Sequence, residues 1–226
     1  MPAQAAPTRY RLTVIQPLGG ELETRGAAIN NRGEVAAGGT GPASARVYSW
    51  KAGVTTRFDE TAGSGPVDIN DDGWILSAGS GLDYKLSKKG RSTITVTDVG
   101  LLYYDTLVPT AINKAKTVVG NGLQFPYNFS AFMRKNDGSI FGFPCCGRVI
   151  EANDITNRGR VAATLGIQKD EYGEWWAITH AALIDEDGSF TDIHPPGAEW
   201  SVATAVNDAG DVVGSAGGAG AIRGFR

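Results

Sequence analysis

The chain has 226 residues, 42% of them hydrophobic and 20% charged, enough to bury a full core in one all-β domain. Its 21 basic and 24 acidic residues leave a net charge of −3, so no basic field neutralises phosphates and nucleic acid is not expected as a partner. No apolar run approaches the ~20 residues of a membrane span, and none holds helical spacing for three turns, which leaves the 31 glycines to serve the tight turns of a β-protein.

Residues 1–7 (MPAQAAP) carry neither a charged n-region nor an apolar h-region, yet Ala3-Gln4-Ala5 has the small-x-small form left at a signal-peptidase site. The expectation is an exported protein, secreted, periplasmic or on the cell surface, with its signal peptide absent from this sequence and residues 1–8 as a disordered leader. Residues 10–15 (YRLTVI) form the first β-rich run. A short phrase then recurs five times: AAINNRGEVAAGG from Ala27, VDINDDGWILSAG from Val67, TAINKAKTVVGNG from Thr110, NDITNRGRVAATL from Asn153 and TAVNDAGDVVGSA from Thr204. Its fourth residue is Asn30, Asn70, Asn113, Thr156 or Asn207, so the copies stand 40, 43, 43 and 51 residues apart. That period belongs to propellers and solenoids.

Each phrase predicts a hairpin between two strands, a and b, because Asn opens a type I turn and Gly closes it in the left-handed region. Asn30 with Gly33, Asn70 with Gly73 and Asn207 with Gly210 carry this signal. Lys116 in the place of Gly, and Thr156 followed by Asn157, predict two turns of slightly different geometry. A second hairpin, c-d, follows from Arg46, Tyr84, Ala131 and Ala181, turning around Gly53, Gly90, Gly138 and Gly188. Four strands per repeat make a propeller blade, whose two apolar faces must each meet a neighbour. The last copy is followed only by residues 221–226 (AIRGFR), which match strand c. Residues 10–15 stand where the other repeats have strand d. The prediction is a monomeric, closed five-bladed β-propeller over residues 9–226, with four antiparallel strands per blade. Its blades span about 22–60, 64–99, 107–144, 149–194 and 200–226, the last completed by 9–17 pairing as its outermost strand, which removes the open edges.

The phrase, the Ala-Phe type of strand c and the Thr97-Asp98-Val99-Gly100 ending of strand d resemble the probable extracellular repeat family known as HAF repeats. Residues 30–38, 113–120 and 207–214 carry the likeness best, and 17–20 (PLGG) sit in the equivalent N-terminal place. The resemblance covers nearly the whole chain and implies an exported bacterial protein. It implies no activity, since the motif residues are turn and core positions.

Candidate chemistry is sparse. Asp68 and Asp154 lie two residues before the turn position, where the other copies have Ala28, Ala111 and Ala205. Funnel carboxylates of a glycoside hydrolase or lyase would occupy such positions; the bland reading makes them channel-lining groups that hold water and backbone amides. Asp185-Glu186-Asp187-Gly188 lacks the closing Glu of a calcium loop and reads as a solvated turn. With only His180 and His194 as histidines, no metal set and no cofactor is expected. Cys145 and Cys146 are adjacent and read either as two thiols or as a vicinal disulfide.

Asymmetry among the loops gives the functional expectation. The b-c and d-a connections share one face of a propeller, and that of blade 4, residues 164–180, is the longest b-c connection. This face should gather Tyr103, Tyr104 and Asp105, then Tyr127 and Asn128, then Glu174, Trp175, Trp176 and His180, and finally Trp200. Aromatics beside carboxylates and amides suit stacking recognition of a carbohydrate or another flat ligand. Their other reading is that Trp175 and Trp176 only fold the long connection onto the propeller. A lectin-like binding module is favoured over an enzyme, with a polysaccharide hydrolase or lyase as the alternative and a protein-interaction scaffold as the third reading.

Overall fold

The computed structural model describes residues 12–16, 23–40, 45–58, 65–79, 81–97, 106–124, 128–143, 149–168, 171, 178–218 and 220–226. These form five antiparallel sheets and no helix. Sheet 1 holds β1 (Glu23–Ile29), β2 (Val35–Thr40), β3 (Ala45–Lys51) and β4 (Val54–Phe58). Sheet 2 holds β5 (Pro66–Ile69), β6 (Ile75–Ala78), β7 (Tyr84–Ser87) and β8 (Ile94–Val96). Sheet 3 holds β9 (Thr106–Ile112), β10 (Val118–Gln124), β11 (Asn128–Arg134) and β12 (Ile140–Gly142). Sheet 4 holds β13 (Val149–Ile155), β14 (Val161–Gln168), β15 (Ile178–Ile184) and β16 (Phe190–Asp192). Sheet 5 has three strands, β17 (Trp200–Val206), β18 (Val212–Gly218) and β19 (Ala221–Phe225). Within every sheet the strands lie side by side in chain order, as hairpins joined end to end require.

The expected fourth strand of sheet 5 is not formed by the described part of residues 10–15. Residues 12–16 join no ladder, and Leu12 is 88% exposed.

The core lies in the seams between consecutive sheets. In the first strands of sheets 2 to 5 the residue before the turn position faces the preceding sheet, and in those of sheets 1 to 4 the one before that faces the next, as strand alternation demands. Thus Ile69 packs with Ala36 and Val47, Ile112 with Leu76 and Leu86, Ile155 with Val119 and Met133, and Val206 with Ala162 and Ala181. Each of these buried aliphatic groups contributes on the order of 2 kcal/mol by leaving water.

The recurrent Asn does two jobs at once. Its Oδ1 accepts amides of its own turn, Arg32 and Glu34 for Asn30 and Asp72 and Trp74 for Asn70. Its Nδ2 crosses to the next sheet: Asn30 donates to the Asn70 main-chain oxygen at 3.0 Å, Asn70 to that of Asn113 at 2.8 Å, and Asn113 to that of Thr156 at 3.2 Å. An Asp could not donate this rung. Lys116 corrects one expectation: with φ +63° it takes the same left-handed place as Gly33, Gly73, Gly159 and Gly210, and its amide bonds the Asn113 oxygen at 3.0 Å as Gly33 bonds Asn30. The turn is unchanged and Lys carries the strain. The glycine of the Val-Val-Gly run has a different cause. First strands β9 and β17 bulge there, and a Cβ on Gly120 or Gly214 would strike the main-chain oxygen of Val108 or Val202.

Candidate functional site

The inner strands bring the five turns around a cavity of about 470 Å³, lined among others by Asn31, Asp71, Asn113, Asp154, Asn157 and Asp208. Side chains bridge neighbouring turns here. Asp71 accepts both the amide and the Nδ2 of Asn31 at 3.0 and 3.1 Å, and Asp208 accepts the same pair from Asn157, both at 2.7 Å.

Asp68 and Asp154 act across seams. Asp68 Oδ1 accepts the Ile69 amide at 2.7 Å and Oδ2 the Ile112 amide of the next sheet at 2.8 Å. Asp154 repeats the arrangement with Ile155 and Val206, both at 2.8 Å. Desolvation in these half-buried positions raises both carboxyls above their ordinary range, against the lowering effect of the amides; Asp68 and Asp208 add repulsion at Asp154. Every oxygen of the pair is thus engaged by a backbone amide.

Of the residues expected on the loop face, Tyr103, Tyr104, Asp105, Tyr127, Glu174, Trp175 and Trp176 lie outside the described residues, as do Cys145 and Cys146. Asn128 begins β11. His180 and Trp200 are described, and the fold separates them. Trp200 and Ser201 are successive residues of β17 and point to opposite faces. Ser201 faces sheet 4, where its Oγ accepts the Ala181 amide at 2.9 Å. Trp200, half-buried, lies on the other face against Gly217, whose missing Cβ leaves room for the indole.

His180 belongs to a network that the sequence did not announce. Its Nδ1 is 2.7 Å from Asp192 Oδ2, and its ring stacks on His194 with centroids 3.8 Å apart and 14° between planes. His194 Nε2 meets the Ala198 carbonyl at 2.9 Å, and Nδ1 meets Ser201 Oγ at 2.7 Å. A carbonyl can only accept, so Nε2 carries the proton and Ser201 O–H donates to Nδ1. A carboxylate oxygen likewise only accepts, so the His180 Nδ1–H donates to Asp192 and Nε2 is the ring nitrogen left over. Burial alone would raise Asp192. The His180 hydrogen bond, the His194 amide and the two imidazoles together hold it below its ordinary value. A signal for this cluster did exist: the β15–β16 register pairs Ala182 with Asp192, which sets residue 180 opposite residue 194. Among the described residues no three His, Cys, Asp or Glu side chains are grouped to hold a metal.

No protein-family model matches the chain, and no curated protein does. Among solved structures it is similar to a chain from the crystal structure of a nidogen/laminin complex, with a TM-score of 0.53 and 13% identity. The likeness covers 87% of this chain and 72% of that one. At this identity it speaks to the fold alone, and it agrees with a propeller-like arrangement of the five sheets.

Proposed function

We propose that the chain is an exported, lectin-like module of the HAF-repeat kind that binds a carbohydrate or cell-envelope polymer on the face of its b-c and d-a connections. One observation carries this reading. On that face the His180 ring is held at Nδ1 by Asp192 and in one plane by His194, which presents its Nε2 in a fixed orientation for a ligand hydroxyl at no further ordering cost. Tyr103, Tyr104, Tyr127, Trp175 and Trp176 are the proposed stacking groups, with Asp105, Asn128 and Glu174 as polar neighbours, whereas Trp200 packs apart from His180 against Gly217. A glycan array probed with the wild-type chain, His180→Ala and Trp175→Ala tests it. Specific binding weakened several-fold in either variant, with the thermal midpoint little moved, is the expected outcome. A blank array, or a large loss of stability with binding intact, overturns it.

The ring itself is proposed to close through residues 10–15. Among the described residues β19 pairs only with β18, and a trough of about 520 Å³ lined by Leu183, Ile193, Pro195 and Phe225 runs beside it. Apolar Leu12 and Val14, now exposed, alternate as a strand entering that slot needs. Removing residues 1–16 should then cause aggregation or a marked fall in thermal midpoint; an equally stable truncated chain rejects the strand. The hydrolase reading would require turnover lost in Asp68→Asn or Asp154→Asn, and the amide bonds to all four oxygens speak for anchoring instead. The scaffold reading has one point in its favour, that the similar solved chain sits in a protein complex. It would give a protein partner and no glycan.

A further inference from the structure

Four seams repeat one apolar contact and three of them one hydrogen-bonded rung, and a fifth set stands half-assembled. At the position facing the preceding sheet, Ile69, Ile112, Ile155 and Val206 are 4%, 4%, 7% and 8% exposed, whereas Ile29 is 68% exposed. At the position facing the next sheet, Ala36, Leu76, Val119 and Ala162 are each 0% exposed, whereas Val213 is 44%. Asn30, Asn70 and Asn113 are buried with their Nδ2 on the next turn, while Asn207 is exposed and its Nδ2 turns back to Asp211 Oδ2 at 3.0 Å. The bare groups of sheets 1 and 5 are therefore the two halves of one missing seam. They also line the same cavity, with Ile29, Asn30 and Asn31 on one side and Asn207, Asp208 and Ala209 on the other.

We propose that this seam is a latch within one chain, in which sheet 5 closes on sheet 1 and brings Val213 against Ile29. On closing, Asn207 Nδ2 leaves Asp211 for the main-chain oxygen of Asn30, the rung made by Asn30, Asn70 and Asn113 at their own seams. The Asp208 amide meets Asn31 Oδ1, as the Lys114 amide meets Asn157 Oδ1 at 2.8 Å. The open position has its own holder. Arg226 bonds Asp211 Oδ2 at 3.2 Å, so the carboxylate that captures Asn207 is itself fixed, and these two partners together with the Arg226 charge keep Asp211 below its ordinary carboxylate range. Closure seals the side of the central cavity between the first turn and the last. The latch rests on the ring arrangement proposed above and is independent of the glycan.

The test is a cysteine pair, Ile29→Cys with Val213→Cys, in a Cys145→Ser, Cys146→Ser background. Both positions are exposed in the open form, so the variant should fold. A disulfide requires Cα atoms within about 7 Å, so its formation reports the approach of β18 to β1 that the latch entails. Mild oxidation should give an intramolecular disulfide in a monomer, read by mass spectrometry and gel filtration. Asp211→Ala should speed its formation several-fold by freeing Asn207. No disulfide rejects the seam, a covalent dimer assigns the two faces to a second copy instead, and an unchanged rate in Asp211→Ala rejects the holder. Residues 29 and 213 lie on β1 and β18, away from the β19 edge, so loss of the residue 10–15 strand and loss of the latch are separate outcomes.

Discussion

The seam between sheets 3 and 4 and the one between sheets 5 and 1 start from nearly the same residues. Val119 and Ile155 meet at the first and are buried; Val213 and Ile29, their equivalents, face solvent at the second. Asn113 reaches across the first to the Thr156 main-chain oxygen, and Asn207 folds back on its own sheet at the second. Burial and hydrogen bonding in this chain are thus properties of a pair of sheets rather than of the repeat. A single blade has nothing to bury its two faces against, which is why arrays of this kind gain stability only by neighbour contacts.

The largest expected effect separates the two seams directly. Ile155→Ala opens a cavity in a filled seam and should cost about 3 kcal/mol, while Ile29→Ala, in the same place of the repeat, should cost under about 0.5 kcal/mol. Denaturant unfolding at equilibrium measures both. Equal losses would mean that the fifth seam is closed in solution. A smaller effect concerns the rungs. Asn113→Ala removes a buried turn acceptor and a cross-seam donor together and should cost about 2 kcal/mol, against about 1 kcal/mol or less for Asn207→Ala, whose contacts are exposed and local. A reversed order would break the equivalence on which the seam comparison rests.

The strands were legible because their turns are chemically explicit: Asn, two residues, then Gly for the first hairpin, and Gly53, Gly90, Gly138 and Gly188, all at positive φ, for the second. Lys116 misled because the hydrogen-bonded frame around Asn113 over-determines its backbone, and local preference then loses. The fourth strand of the last sheet, expected from the repeat at residues 10–15, joins no ladder among the described residues. Whether residues 10–15 reach β19 depends on distances between chain ends that no local pattern encodes. The site divided in the same way. His180 could be singled out as a polar group on a loop face, whereas Asp192, His194 and Ser201 come to it through hairpin register and across a seam. Trp200, grouped with His180 by sequence, parts from it by the alternation of a single strand.

The smallest effect sharpens what the filled seams contain. Asp68 crosses the seam between sheets 2 and 3, and Asp154 that between sheets 4 and 5, where the other copies have alanine. Desolvation raises both carboxyls in the folded chain. A carboxyl that binds its proton more tightly folded than unfolded favours the folded state while protonated. Its contribution is therefore present at low pH and is lost as pH rises from the ordinary value of 3.8 through the raised one. At neutral pH the ionised pair is a net burden that the four amide bonds only partly offset. Asp68→Ala and Asp154→Ala should then leave stability at pH 7 within about 1 kcal/mol of the parent chain or slightly above it. The decline of stability across that acidic window should flatten in both variants, as thermal midpoints from pH 4 to 7 would record. A strong loss at pH 7 would show instead that the amide bonds outweigh desolvation, and would make the two carboxylates the principal ties of their seams.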